Sequence, residues 1–179
     1  MPKLVKEGAV AEDSWALIDA EADYPADAVA AGEQLILPLA QWLPRRDELL
    51  GQAHTGVWLG SKQAPVLLFG ETLEDESESV EFDINQLPLI AIDFPVFSDG
   101  RGYSYARQLR ERYGYKGELR AIGDVLRDQM YFYKRCGFSS FAVRSDRDAE
   151  VAATGIGDFS ASYQAARDGS PAVLKSRHS

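Results

Sequence analysis

Three short stretches of the chain carry the side chains best suited to chemistry. Ser98-Asp99-Gly100-Arg101-Gly102-Tyr103-Ser104 sets a carboxylate, a guanidinium, two glycines and hydroxyl groups close together. Gly123-Asp124 is followed by Arg127, Asp128 and Gln129, and Arg144-Ser145 makes a third group. Arginine offers a planar, bidentate donor to oxyanions, glycine lets backbone N–H groups approach a ligand, and Ser104 can cap a helix or donate to an anion. The expected site is therefore an anion cradle built from Arg101, Gly102, Ser104, Arg127 and Arg144, with Asp99, Asp128 and Gln129 in support. Asp124 follows an apolar run, where a carboxylate must be ion-paired or face a cleft, so it is either a partner of one of these arginines or a catalytic acid or base. Asp99 also suits a turn or helix-cap carboxylate.

The pattern is less than a nucleotide motif. Gly100-Arg101-Gly102 is not a Walker loop, and Tyr105 stands where a dinucleotide fingerprint needs its third glycine. Asp93 lies inside an apolar run and needs a partner; Arg120 on the next strand is the expected structural one. Cys136 falls in a helix's last turn, where the dipole disfavours a thiolate, and reads as an inert core thiol. His54 and His178 sit in a loop and in the tail. The tyrosines at 103, 105, 113, 115, 131 and 133 follow helical and strand packing positions better than a base-stacking platform.

These residues need elements to hold them. Leu89-Ile-Ala-Ile92 is a continuous apolar run of the kind buried on both faces in a parallel sheet. It leads through residues 98–102 to a helix with Tyr103, Ala106, Leu109 and Tyr113 on one face, ended by Gly114. Leu119-Arg-Ala-Ile122, a Gly-Asp turn and a helix over 126–136 ended by Gly137 repeat the unit, and Phe138–Val143 is a third strand. A helix capped by Ser145, with Asp148 three residues on, and another near 158–166 are expected to follow. Upstream, Trp15–Ile18, Leu35–Leu37 and Val57–Leu59 read as strands, and a helix is expected to start at Pro44 within 39–50. Val66–Phe69 fits either a strand or a helix start. Successive βα units imply right-handed crossovers and a mainly parallel sheet in a single α/β domain over residues 1–169, most regular over 87–166, with a frayed tail from 170. A full eight-unit barrel takes about 250 residues, so a chain of 179 is expected to form a partial, barrel-like or open sheet that closes only if a partner completes it.

Composition bounds the function. With 45% hydrophobic residues the chain has enough apolar material for one core. A net charge of −9 argues against a nucleic-acid or anionic-membrane binder. That charge is uneven: residues 71–100 hold nine acidic and no basic side chains, whereas 101–147 hold eleven basic against five acidic. The acidic run over 71–83 reads as a solvated loop. One cysteine and two histidines fall short of an iron–sulfur cluster or a structural zinc site. No signal-like or membrane-spanning run stands out, so a cytoplasmic chain is expected. No cofactor is specified by these residues.

Three phrases are recognisable as words: Ala91-Ile-Asp-Phe-Pro-Val-Phe-Ser-Asp-Gly-Arg-Gly-Tyr-Ser104, Gly117-Glu-Leu-Arg-Ala-Ile-Gly-Asp-Val-Leu-Arg-Asp-Gln129 and Arg135-Cys-Gly-Phe138. With them the chain resembles the bacterial family of unknown function numbered 934, most closely over 87–143. The resemblance implies a genomic setting beside assimilatory sulfite reductase and a loose oxidoreductase label, with no catalytic residues to carry over. An accessory or anion-binding role in sulfur assimilation, with sulfite reductase and a small anion as partners, is the leading expectation. A small enzyme acting on an oxyanion or phosphorylated metabolite, and a structural or oligomeric α/β module, are the alternatives.

Overall fold

A computed structural model describes residues 3–70, 82–96, 98–143 and 148–155. One eight-stranded sheet organises them, in the order β2-β1-β8-β7-β6-β5-β4-β3. Its strands are β1 (Lys3–Lys6), β2 (Ala9–Ala11), β3 (Ala16–Leu17), β4 (Leu35–Pro38), β5 (Thr55–Leu59), β6 (Leu89–Phe94), β7 (Glu118–Gly123) and β8 (Ser140–Val143). Strands β3 to β8 run parallel, and β1 and β2 are antiparallel additions at one edge. The fold is thus α/β, mainly parallel, and curled into a half-barrel.

Chain connectivity requires that curl. Strand β2 lies at one edge and β3 at the other, yet only residues 12–15 join them. A flat sheet of eight strands would be about 34 Å wide at about 4.8 Å per strand. The connection from Ala11 to Ala16 reaches at most about 18 Å. The edges must therefore approach each other, and the connection crosses as a chord on the concave side.

Alternation along each strand separates the two faces. Val57, Leu59, Ile90, Ile92, Phe94, Leu119, Ala121 and Phe141 point outward into the main core. Against them pack α4 (Arg101–Glu111) and α5 (Met130–Cys136), with α2 (Leu39–Trp42) and α3 (Arg46–Leu49) further along. Helix α1 (Ala26–Ala30) precedes β4, and α6 (Ala149–Thr154) packs near β1. On the concave side Ile36, Leu89, Ala91 and Ile122 form a smaller cluster with Trp15 and Trp58, and Trp58 Nε1 donates to Ile18 O at 2.9 Å.

Several expectations are corrected. The helix expected at Pro44 is already under way at Leu39, and Pro44 sits in a 3-10 turn (Leu43–Arg45) between α2 and α3, where its missing N–H is tolerated. Val66–Phe69 falls in a 3-10 turn (Pro65–Phe69). Helix 126–136 is α-helical only from Met130, after a 3-10 turn (Arg127–Gln129). Helix α6 is capped by Asp148, whose carboxylate accepts from the N–H groups of Glu150 and Val151. Ser145, the acidic residues 71–81, the helix expected near 158–166 and the tail lie outside the described residues.

The expected Asp93–Arg120 pair does not form. Register sets Asp93 opposite Ile122 and Arg120 opposite Ala91, so the two side chains share a face but stand two residues apart along the strands, about 6.6 Å. Arg120, only 2% exposed, turns instead toward the N-terminal ends of the strands. Its Nη1 donates to both oxygens of Asp13 at 2.9 and 3.0 Å, and its Nη2 to Glu118 Oε1 at 2.7 Å. Ser140 Oγ and Lys6 Nζ donate to the same Glu118 carboxylate, each at 2.7 Å. This network pins the crossing segment to the concave face.

Candidate functional site

In a parallel sheet the strand ends that feed the helices form the natural binding rim, because loops there are free to vary and helix N-termini point outward. Strands β6 and β7 end at this rim with Phe94 and Gly123, and Asp124 N donates to Phe94 O at 2.7 Å, so the two loops leave the sheet side by side.

After β6 the chain turns through Asp99 into α4. Asp99 takes the backbone N–H of Arg101 at 3.2 Å and its guanidinium at 2.9 Å (Nε) and 2.6 Å (Nη2). Those hydrogen bonds from Arg101 hold the Asp99 carboxyl at about 2, below the usual carboxylate range. Arg101 Nη2 also reaches Ser61 Oγ at 3.4 Å, and Tyr105 OH donates to Ser61 O at 3.1 Å, which ties the loop after β5 to the start of α4. Half of the Arg101 side chain stays exposed (49%). Gly102, expected to open backbone toward a ligand, serves packing instead: a Cβ there would lie 2.5 Å from Phe94 Cζ, so only glycine lets α4 settle on β6. Ser104 is exposed on α4.

After β7 the arrangement differs. Asp124 is half-buried, and Tyr133 on α5 feels its charge. Burial, then the neighbouring Tyr103 hydroxyl and last the Asp124 charge, push the Tyr133 phenol well above its ordinary value, and its hydroxyl donates to Gln129 Oε1 at 3.3 Å. Arg127 is anchored to α6, donating from Nε to Val151 O at 3.1 Å and to Thr154 Oγ1 at 3.3 Å, with 40% of its side chain exposed. Asp128 is almost fully solvated. A cavity of about 370 Å³ lies between this turn and α6, bordered by Arg127, Asp128, Val143, Asp148 and Val151. Arg144 lies outside the described residues. The rim thus gathers Asp99 with Arg101 on one side, Asp124 with Gln129 and Tyr133 beside it, and Arg127 with Asp128 at the edge of α6.

Asp93 is the residue that sequence reasoning placed in a structural role and that the fold brings to this rim. It is the last concave-facing side chain of β6, in the parity of Leu89 and Ala91. It is half-buried, and no hydrogen bond to its carboxyl forms among the described residues. Its Oδ1 would lie 2.5 Å from a Cβ on Gly123, whose φ of +88° is left-handed, so glycine at the end of β7 makes room for the carboxyl. Burial, reinforced by the nearby Asp99 charge, pushes the Asp93 carboxyl upward. Its position in the alternation was readable; the register that separates it from Arg120 was not.

A larger open cavity, about 980 Å³, lies at the opposite rim beside Lys6, Arg110, Lys116, Glu118 and Lys134. Its cations serve structure: Arg110 donates to the carbonyls of Gly137, Tyr115 and Gly117, and Lys134 stands in the last turn of α5, where a positive charge complements the helix dipole. Cys136 is buried, and burial raises its thiol, in keeping with an inert core position. Among the described residues no group of three or more His, Cys, Asp or Glu side chains is arranged to hold a metal ion. No helix among them is long and apolar enough to cross a membrane.

No curated protein matches the chain. The family model described as bacterial protein of unknown function (DUF934) matches residues 71–174, a span that takes in β6, β7, β8 and the whole of the rim just described. With more than half of its length matched, the chain belongs to the bacterial family of unknown function DUF934.

Proposed function

We propose that this chain is a cytoplasmic accessory protein of sulfur assimilation that binds a small oxyanion at the C-terminal rim of its half-barrel and works beside sulfite reductase. The observation that carries the anion-binding part is the bracing of two arginines on adjacent strand-end loops. Asp99 fixes Arg101, and the Val151 carbonyl with the Thr154 hydroxyl fixes Arg127, yet each side chain remains 40–49% exposed. Arg101, held through Nε and Nη2, is pre-organised for a ligand on its exposed side, which lowers the entropy lost on binding. The sulfur context rests on the family resemblance. A chain with one cysteine lacks the thiolates of an iron–sulfur cluster, so the role assigned is not that of the siroheme subunit.

An enzymatic use of the same rim would employ Asp124 as acid or base, with its charge reaching Tyr133 on α5.

The test combines binding and partnership. Calorimetric titration with inorganic phosphate and sulfite should show saturable binding that Arg101→Gln weakens. Tagged protein from cells grown on sulfate should recover sulfite reductase. Recovery of none, together with normal growth of a deletion strain on sulfate, removes the accessory role; absence of binding to any oxyanion removes the anion site.

A further inference from the structure

The proposed site sets a carboxylate where an anion is to bind, and that conflict defines the ligand. Asp93 ends the concave side of β6 with its carboxyl against Gly123 and unsatisfied among the described residues. The charge that reaches it is that of Asp99 on the loop after β6, and Asp124 follows Gly123 in sequence at the end of β7. Asp99 is already committed to Arg101. Among the described residues Asp93 therefore has no cation of its own, and a fully deprotonated oxyanion beside it would bring two like charges together, which a half-buried site penalises. One proton placed between them converts that repulsion into a short, charge-assisted O–H···O⁻ hydrogen bond.

We infer that Asp93 is a specificity-determining residue that makes this rim select oxyanions carrying their own O–H, such as hydrogen phosphate or hydrogen sulfite, over sulfate. The inference rests on the anion-binding reading above and adds to it the protonation state of the ligand. Arg101 supplies the positive charge that any oxyanion needs, while Asp93 accepts the ligand's proton as a hydrogen bond. Sulfate has no proton to offer near neutral pH, so it binds only with a proton taken up by Asp93. No covalent bond forms or breaks; one proton is shared between a carboxylate oxygen and a ligand oxygen. The upward pull that burial and Asp99 exert on the Asp93 carboxyl acts in the same direction, since the site holds a proton more readily than an exposed aspartate would.

The experiment measures affinity by calorimetry at neutral pH for inorganic phosphate, sulfite and sulfate, with the full chain and with Asp93→Asn. Wild-type protein should bind phosphate or sulfite about tenfold or more tightly than sulfate, the order expected for one charge-assisted hydrogen bond. Which of the two binds more tightly separates a phosphorus from a sulfur ligand. In Asp93→Asn, whose neutral amide can donate as well as accept, sulfate should gain and the preference collapse. Asp93→Ala, which removes the charge but neither donates nor accepts, should lose the preference with a smaller gain in sulfate affinity than Asp93→Asn. If sulfate binds the wild type as tightly as phosphate and sulfite, or if Asp93→Asn keeps the original preference, the inference is overturned while the anion site stands. If no oxyanion binds the wild type, both fall together.

Discussion

Two carboxylates at opposite ends of the same half-barrel, Glu118 at the start of β7 and Asp93 at the end of β6, have opposite fates. Burial pulls the Glu118 carboxyl up, but hydrogen bonds from Lys6, Ser140 and Arg120 outweigh it and leave the group lowered from its ordinary 4.5. Burial acts on Asp93 as well, and there nothing opposes it, so the group is raised from 3.8. At the N-terminal rim a buried guanidinium, two carboxylates, an ammonium and a hydroxyl satisfy one another across β1, β7, β8 and the segment after β2. At the C-terminal rim Arg101 is braced by Asp99 while half of its side chain stays exposed. The contrast follows the division of labour in parallel α/β folds, where the N-terminal ends of strands carry stability and the C-terminal ends carry ligands.

The sharpest way to break this comparison is to remove Arg120. Arg120→Met strands the Asp13 and Glu118 carboxylates around a side chain that was 2% exposed and frees the segment that crosses the concave face. A loss of roughly 3–5 kcal/mol in urea unfolding is expected, the range for deleting one member of a buried ion network. A loss below the level of a surface pair would show that the N-terminal rim does not hold the curl.

Gly123→Ala probes the other rim. It forces a left-handed φ on a residue with a Cβ and drives that atom to 2.5 Å from Phe94 O and Asp93 Oδ1. A loss of about 1–3 kcal/mol is expected from the backbone penalty and overpacking together. The same variant should displace the Asp93 carboxyl and blur the preference among oxyanions. Retention of both stability and preference would mean that Gly123 does not set the position of that carboxyl.

The smallest effect has the opposite sign. A raised carboxyl costs the folded state stability as pH climbs from 3.8 through its folded value, because the unfolded chain ionises more easily. Asp93→Asn should therefore melt a little higher than the wild type at neutral pH, with the difference fading below 3.8. The lowered Glu118 predicts the reverse: its contribution is complete above 4.5 and lost as pH falls through the folded value, so Glu118→Gln should cost most at neutral pH. Thermal melts of the two variants across pH test whether the rims differ in kind; parallel profiles would erase the distinction.

Much of the central architecture was legible residue by residue. The apolar run Leu89–Ile92, the glycines at 114 and 137 and the repeating strand–turn–helix spacing led to β6, α4, β7, α5 and β8 because periodicity and helix stops are local properties. The N-terminal hairpin of β1 and β2 escaped notice because Lys3–Lys6 and Ala9–Ala11 are short and flank charged residues, and they are strands only because β8 offers an edge. Pairing Asp93 with Arg120 was sound as chemistry and failed on register, which depends on how two strands far apart in sequence are slid against each other. Gly102 was legible as a glycine that something must approach closely; that the approaching group is the ring of Phe94 was not.

By itself the sequence determined the class of fold, its mainly parallel sense and the barrel-like incompleteness of the sheet, since these follow from pattern, length and chain direction. Only the tertiary structure decided that the segment after β2 closes the curl through Asp13 and Arg120, that Arg101 is braced by Asp99, and that Asp93 meets no cation among the described residues. These are matters of register and long-range approach, in which a shift of two residues leaves every local propensity unchanged and yet exchanges one charge partner for another.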